Sequence, residues 1–391
     1  MTATPRTDSL RPAARSQRLG FSDIVRIRNE VLAMTAAGKK VIRLEGGEPF
    51  PPTPPFVIDA IKDALDRGET RYAPSSGIPK LLAAICAKLE RKNGISTEPS
   101  GVIVVNGGAH GLFCSFQATL DEGDEAIFLS PYWTPIRDLV RYAGGEPVMV
   151  PWQEAAETSA ASAIERHLTS RSRLIYVNSP SNPTGRVLDR AGLEAIAELA
   201  IRRNLLVISD EAYEDLTWDG THVSIGSLPG MSERTITVFT LSKTYALTGG
   251  RIGYVVASPP FMEVLRKLVL NSTNGVSTPT QFGALAALTD GSGWIEEKKD
   301  EYRQRRDFLV ESARAAGFEC AVPAGAFYLF ANVSRRLGQD SWAAMKELLD
   351  STGIATVPGA VFGAEGEGHL RMSYSTSMSV LEQADAALRR L

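Results

Sequence analysis

Cysteine is scarce in this chain. Its 391 residues include three, Cys86, Cys114 and Cys320, an odd number with no close pair. They make neither a disulfide framework nor a zinc site, and they fit a reducing compartment. Long apolar runs are also missing. None approaches the roughly 20 residues of a membrane span, so no membrane partner is expected. Charge of one sign is not in excess either. Lys and Arg number 42 against 45 Asp and Glu, a net charge of −3, which gives no reason to expect nucleic acid or an anionic membrane surface as partner. Internal repeats and low-complexity tracts are absent. What remains, 43% hydrophobic and 22% charged residues, is the balance of a soluble globular protein. The length exceeds one ordinary core, so two domains are expected.

The N-terminal stretch carries Arg6, Arg11, Arg15 and Arg18 against a lone Asp8. A transit peptide has that composition, but Pro5 and Pro12 would break its amphipathic helix, and no apolar secretion segment follows. The expectation is a flexible arm, residues 1–20, on a cytoplasmic protein.

In the middle of the chain, short β-rich runs alternate with longer helical stretches. Strands are expected at residues 102–105, 125–129, 148–150, 174–177, 205–208, 236–239 and 252–256. Several are unbroken apolar runs, as when both faces of a strand are buried. The alternation predicts an α/β domain, residues 50–290, with a mostly parallel sheet. Ligands on such sheets sit at the strand C-terminal ends. The last third differs: a long charged helix over 294–314, a strand at 327–330, a helix near 342–349, a strand at 370–374 and a final helix. It predicts a smaller α+β domain, residues 291–391, completed by residues 21–49.

The richest chemistry lies at residues 240–254, TLSKTYALTGGRIGY. Lys243 supplies an amine that can form an imine with an aldehyde. Thr240, Ser242 and Arg251 can grip a phosphate, the guanidinium by paired N–H bonds. Aldehyde and phosphate on one small molecule describe pyridoxal 5'-phosphate (PLP). Ser-Lys alone would be an ordinary surface dipeptide; the preceding strand, the hydroxyls and the glycine turn change its meaning. Asp210, after the run LLVIS, would by itself be a helix cap. Beside a pyridine nitrogen, its anion would instead keep that nitrogen protonated. Residues 178–185, NSPSNPTG, form a rigid turn. Residues 105–111, VNGGAHG, place glycines at a helix start, where free N–H groups attract an anion; the spacing is not that of a dinucleotide fingerprint.

These segments resemble, in order, the motifs of the class I/II aminotransferases, the aspartate aminotransferase-like branch of the fold-type I PLP enzymes. The signature S-x-S-K followed by G-x-R-x-G-Y is met with Thr240 in place of the first serine. N-x-P-x-N-P-T-G is met at every fixed position. The resemblance covers residues from about 40 to 374 and implies a mostly parallel seven-stranded sheet plus a smaller α+β domain. It also implies the site. Lys243 binds PLP, and Thr240, Ser242, Arg251 and the backbone of Gly108 and Ala109 hold its phosphate. Asp210 faces the ring nitrogen, Tyr213 and Asn182 reach the phenolic oxygen, and Trp133 stacks on the ring. Arg371, in GHLRMS, clamps the substrate α-carboxylate, with Gly47 of GGEP and Asn182 beside it. Tyr72 reaches the neighbouring subunit's phosphate, which implies a homodimer with shared sites. No metal is expected.

The implied activity is transfer of the amino group of an L-amino acid, aspartate or an aromatic donor among the candidates, to a 2-oxo acid, with 2-oxoglutarate the expected acceptor. Lys243 would act as general base and then general acid. A PLP-dependent β-lyase on the same scaffold is the alternative. His110, Phe113, Gln117 and the 271–278 loop are candidates for side-chain recognition, although His110 also reads as a structural histidine. Many relatives have Gln or Lys and then Ala where this chain has His110 and Gly111.

Overall fold

The computed structural model describes residues 11–391. The first ten residues of the expected arm lie outside the described residues. Beyond them, Ala14–Arg18 form a 3-10 turn, Arg18 pairs with Glu122 at 2.7 Å, and the Gly20 N–H donates to Asp138.

Twelve strands follow in chain order among the described residues. They are β1 (Ile42–Arg43), β2 (Val102–Val105), β3 (Glu125–Ser130), β4 (Glu146–Pro151), β5 (Ser172–Asn178), β6 (Leu206–Asp210), β7 (Thr235–Thr240), β8 (Gly253–Val256), β9 (Tyr328–Asn332), β10 (Ile354–Ala355), β11 (Val357–Pro358) and β12 (His369–Ser373). Seven of them form one sheet in the order β2-β8-β7-β6-β5-β3-β4. All its pairings are parallel except those of β8, which runs against both β2 and β7. The expected α/β class and mostly parallel seven-stranded sheet are therefore present.

The sheet is apolar because it is covered on both faces. One face packs Ile103, Val105, Phe128, Tyr176 and Val238 against helices that include Gly108–Thr119 and Pro259–Ser272. The other packs Ile127, Ile175, Val177 and Val207 against Ala160–Arg166 and Arg190–Arg202. Each fully buried aliphatic side chain contributes about 1.5–3 kcal/mol. Asp189 caps the second of these helices by accepting from the Gly192 N–H. Pro55–Asp66, Pro79–Lys88 and Pro135–Tyr142 start on proline, which lacks only an N–H that would be unpaired there.

The remaining strands make two smaller sheets. β1 pairs parallel with β10, and β11, β12 and β9 form an antiparallel trio. The charged helix spans Ser292–Ala315. Among the described residues, no helix is long and apolar enough to cross a membrane. Several strand starts differ from expectation by one or two residues, and two of the later starts have a backbone cause. Leu205 lies just before β6, because Asn204 takes a left-handed φ of 51° and the Leu205 N–H returns to Ala200 O. Ile252 lies before β8, because Arg251 is also left-handed, φ 49°.

Candidate active site

Strand direction gathers the chemistry on one rim. β2, β3, β5, β6 and β7 run the same way, so their C-terminal ends share an edge of the sheet. After them come Gly107 and Gly108, Trp133, Asn182, Tyr213 and Lys243 respectively, with Asp210 the last residue of β6. β8 runs the other way, so its entry residue Arg251 reaches the same rim. Ligands on open α/β sheets bind at such an edge.

The phosphate-type donors converge first. Thr240 caps the short helix Leu241–Thr244 by accepting from the Ser242 N–H, and its hydroxyl also donates to Ser242 Oγ at 2.9 Å. Gly107 has φ +82°, and a Cβ there would lie 2.6 Å from Arg251 Nη2. Only glycine lets that guanidinium lie against the backbone entering the Gly108–Thr119 helix. The first N–H groups of that helix have no partner within it, and the helix supplies the positive end of its dipole. Arg251 itself holds a strained left-handed backbone, anchored by Nη1 donating to Thr248 O at 2.9 Å.

The amine comes next. Lys243 Nζ donates to Gly47 O at 2.8 Å. Burial pushes its pKa down to about 8, with Arg371 and Arg251 adding to the fall and Glu48 and Asp210 opposing it. Asp210 is buried, and burial pushes its carboxyl up to about 6, against the Tyr176 hydroxyl and the Ala212 N–H, which both donate to it. Arg371 is buried at 1% exposure. Its Nη1 donates to Asn182 Oδ1 at 3.1 Å and its Nη2 to Glu45 O at 2.9 Å, while its Nε has no partner. Tyr213 is buried, with its hydroxyl 2.9 Å from that of Tyr328. Trp133 is half-buried beyond β3, lining a cavity of about 40 Å³ with Tyr176, Asn178 and Ser181.

More than four-fifths of the chain length separates Gly47 from Arg371, yet both belong to this cluster. Tyr72 does not touch it: its side chain is exposed at 90% on the surface of this chain. His110 is engaged structurally. Its Nδ1 accepts from the Asn106 N–H, and its Nε2 lies 3.0 Å from Ser272 Oγ. Phe113 packs on Tyr142. Two buried tyrosines were not foreseen. Tyr328 stacks beneath the Arg371 guanidinium, 4.4 Å from its ring centroid, and Tyr176 donates to Asp210. A signal existed for Tyr176: it stands two residues before Asn178, so strand alternation puts both on one face.

The model of the family described as aminotransferase class I and II matches residues 39–389. The chain belongs to the class I and II aminotransferases. It is 38% identical over 374 residues to the aspartate/prephenate aminotransferase of Thermus thermophilus, covering 95% of this chain and 96% of that one. Its fold superposes on the structure of Thermus thermophilus aspartate aminotransferase with maleate at a TM-score of 0.93, with 37% identity and coverage of 98% of this chain and 100% of that one. Aromatic aminotransferase from Pyrococcus horikoshii is similar at a TM-score of 0.87 and 36% identity, covering 92% and 98%. The protein is thus a PLP-dependent aminotransferase, and its substrates are amino and 2-oxo acids.

Proposed function

We propose that Lys243 is the residue that holds PLP and moves the proton, and that the donor is L-aspartate or an aromatic L-amino acid, with 2-oxoglutarate as acceptor. The observation that carries this reading is the placement of the Lys243 amine, with its lowered pKa, beside Gly47 in the same rim as Asp210 and Arg371. The relatives' names support the donor classes.

The residues present fit the cofactor. The glycine cradle at Gly107 and Gly108, with Thr240, Ser242 and Arg251, would hold its phosphate; Asp210 would face its ring nitrogen, Trp133 its ring plane, and Tyr213 and Asn182 its phenolic oxygen. When bound, PLP supplies an aldehyde that captures amino groups and a protonated ring that takes up the electron pair left on the substrate α-carbon. The chain's own residues do the rest. Arg371, with Asn182 and the Gly47 backbone, orients the α-carboxylate so that the α-hydrogen faces Lys243. Lys243 Nζ, poised near neutral pH, removes that proton and later returns it. The Asp210 carboxylate keeps the ring nitrogen charged.

The exposed Tyr72 supports a homodimer in which this residue serves the partner's phosphate site. The three free cysteines support a cytoplasmic location. The test is a panel of amino donors with 2-oxoglutarate, each run with wild type and Lys243→Ala. Conversion of aspartate or an aromatic donor by wild type alone supports the reading. Equal turnover by both proteins would rule it out.

A further inference from the structure

Tyr176 has no part in the roles assigned above. It lies in β5, opposite Ile208 of β6, while Asn178 lies opposite Asp210. The ring is 4% exposed and sits 6.1 Å, centroid to centroid, from both Phe116 and Phe128. From that apolar slot its hydroxyl reaches one strand over and donates to Asp210 Oδ2 at 2.8 Å. The other oxygen, Oδ1, accepts from the Ala212 N–H at 3.2 Å, and Asn178 Nδ2 pins the Asp210 carbonyl.

We propose that Tyr176 is a positioning residue for transamination: its hydroxyl holds the Asp210 carboxylate ionised and aimed, and thereby decides how fully the cofactor's ring nitrogen is protonated. This rests on the assignment of Asp210 to that nitrogen. A buried carboxylate is driven toward its neutral form. A neutral Asp210 cannot hold a proton on the ring. The groups around Asp210 pull in opposite directions. Glu211, next in the chain, favours the neutral acid; Lys243 and the donated bonds of Tyr176 and Ala212 favour the anion. Tyr213, also buried, interacts electrostatically with Asp210 from the following turn. Burial keeps the Tyr176 phenol well above its ordinary range, so it stays a neutral donor and adds no charge of its own.

Tyr176→Phe removes one oxygen and leaves the ring packed. In cofactor-free protein, the Asp210 carboxyl band, assigned by its loss in Asp210→Asn, can be followed by infrared spectroscopy against pH. The expected result is a titration displaced upward by about one unit or more, the scale of one hydrogen bond to a charged group. An unmoved titration overturns the proposal. With PLP labelled with ¹⁵N in the ring, the nitrogen resonance should move toward the unprotonated position in Tyr176→Phe, and kcat should fall about tenfold or more while KM holds within about twofold. An unchanged resonance also overturns it. If wild type fails to bind the labelled cofactor, the assignment of the PLP site fails instead, and the infrared result still judges Tyr176. Tyr176→Leu separates packing from chemistry: a purely structural Tyr176 would cost stability in Leu and leave Asp210 unmoved in Phe.

Discussion

Arg371 Nη1 donates to Asn182 Oδ1 at 3.1 Å, joining two residues 189 positions apart in sequence. The guanidinium is almost wholly buried, yet its Nε has no acceptor. A buried cation with spare donors is poised for an anion. Arg371→Lys retains the charge and loses the planar fork. Its kcat/KM for the amino donor is expected to fall about ten- to a hundredfold, the scale of one hydrogen bond to a charged group. Steady-state kinetics checks this, and an unaltered kcat/KM would exclude Arg371 as the carboxylate clamp.

Turnover should climb with pH in two stages. Burial holds Asp210 up at about 6 and Lys243 down at about 8. Asp210 must be ionised to serve the ring nitrogen, so the first rise follows its titration. Lys243 must be neutral to take a proton, so the second follows its own. Both changes favour the reaction as protons leave. A kcat profile for wild type that falls between these two values contradicts the assignment of the two groups.

The glycine cradle can be tested against an internal control. Gly107→Ala forces a Cβ into a left-handed backbone and to within 2.6 Å of Arg251, whereas a Cβ at Gly249 would meet nothing within 4 Å. Titration of each cofactor-free variant with PLP should show affinity lowered about tenfold or more for Gly107→Ala, from backbone strain of about 1–2 kcal/mol plus the displaced guanidinium. Gly249→Ala should bind as wild type does.

Stability in acid depends on a different group. Glu214 is buried with Lys88 and also accepts from Asn93. Burial pushes its carboxyl up, but Lys88 and Lys92 outweigh that and hold it at about 2. The folded value lies below the ordinary 4.5, so Glu214 stabilises the fold fully above 4.5, and the contribution is lost as pH falls toward 2. Glu214→Gln leaves Lys88 as an unpaired buried cation and should cost about 3–5 kcal/mol at neutral pH. Urea unfolding of both proteins at several pH values would show it, with the difference shrinking in acid.

The fold was legible where strands are wholly apolar. Val102–Val105 is buried at all four positions, and its four-residue run of Val and Ile announces it. Strand edges were less legible, because left-handed residues such as Asn204 and Arg251 end or delay strands through backbone geometry that side-chain pattern does not encode. What can be compared for the site is proximity: Lys243 lies close enough to Asp210 and Arg371 to interact electrostatically with both, and Arg371 donates to Asn182. Tyr176 and Tyr328 escaped notice because a tyrosine within an apolar run satisfies the hydrophobic pattern. Its hydroxyl gains meaning only from the neighbouring strand or sheet, and pairing register is a tertiary fact. Tyr72 lies apart from the rim, exposed on the surface of this chain.

The most direct test is chemical. Wild-type protein incubated with PLP, reduced with borohydride, digested and sequenced by mass spectrometry should carry the phosphopyridoxyl group on the peptide containing Lys243. Label on another lysine, or no label at all, would contradict the assignment of Lys243 as the residue that holds the cofactor.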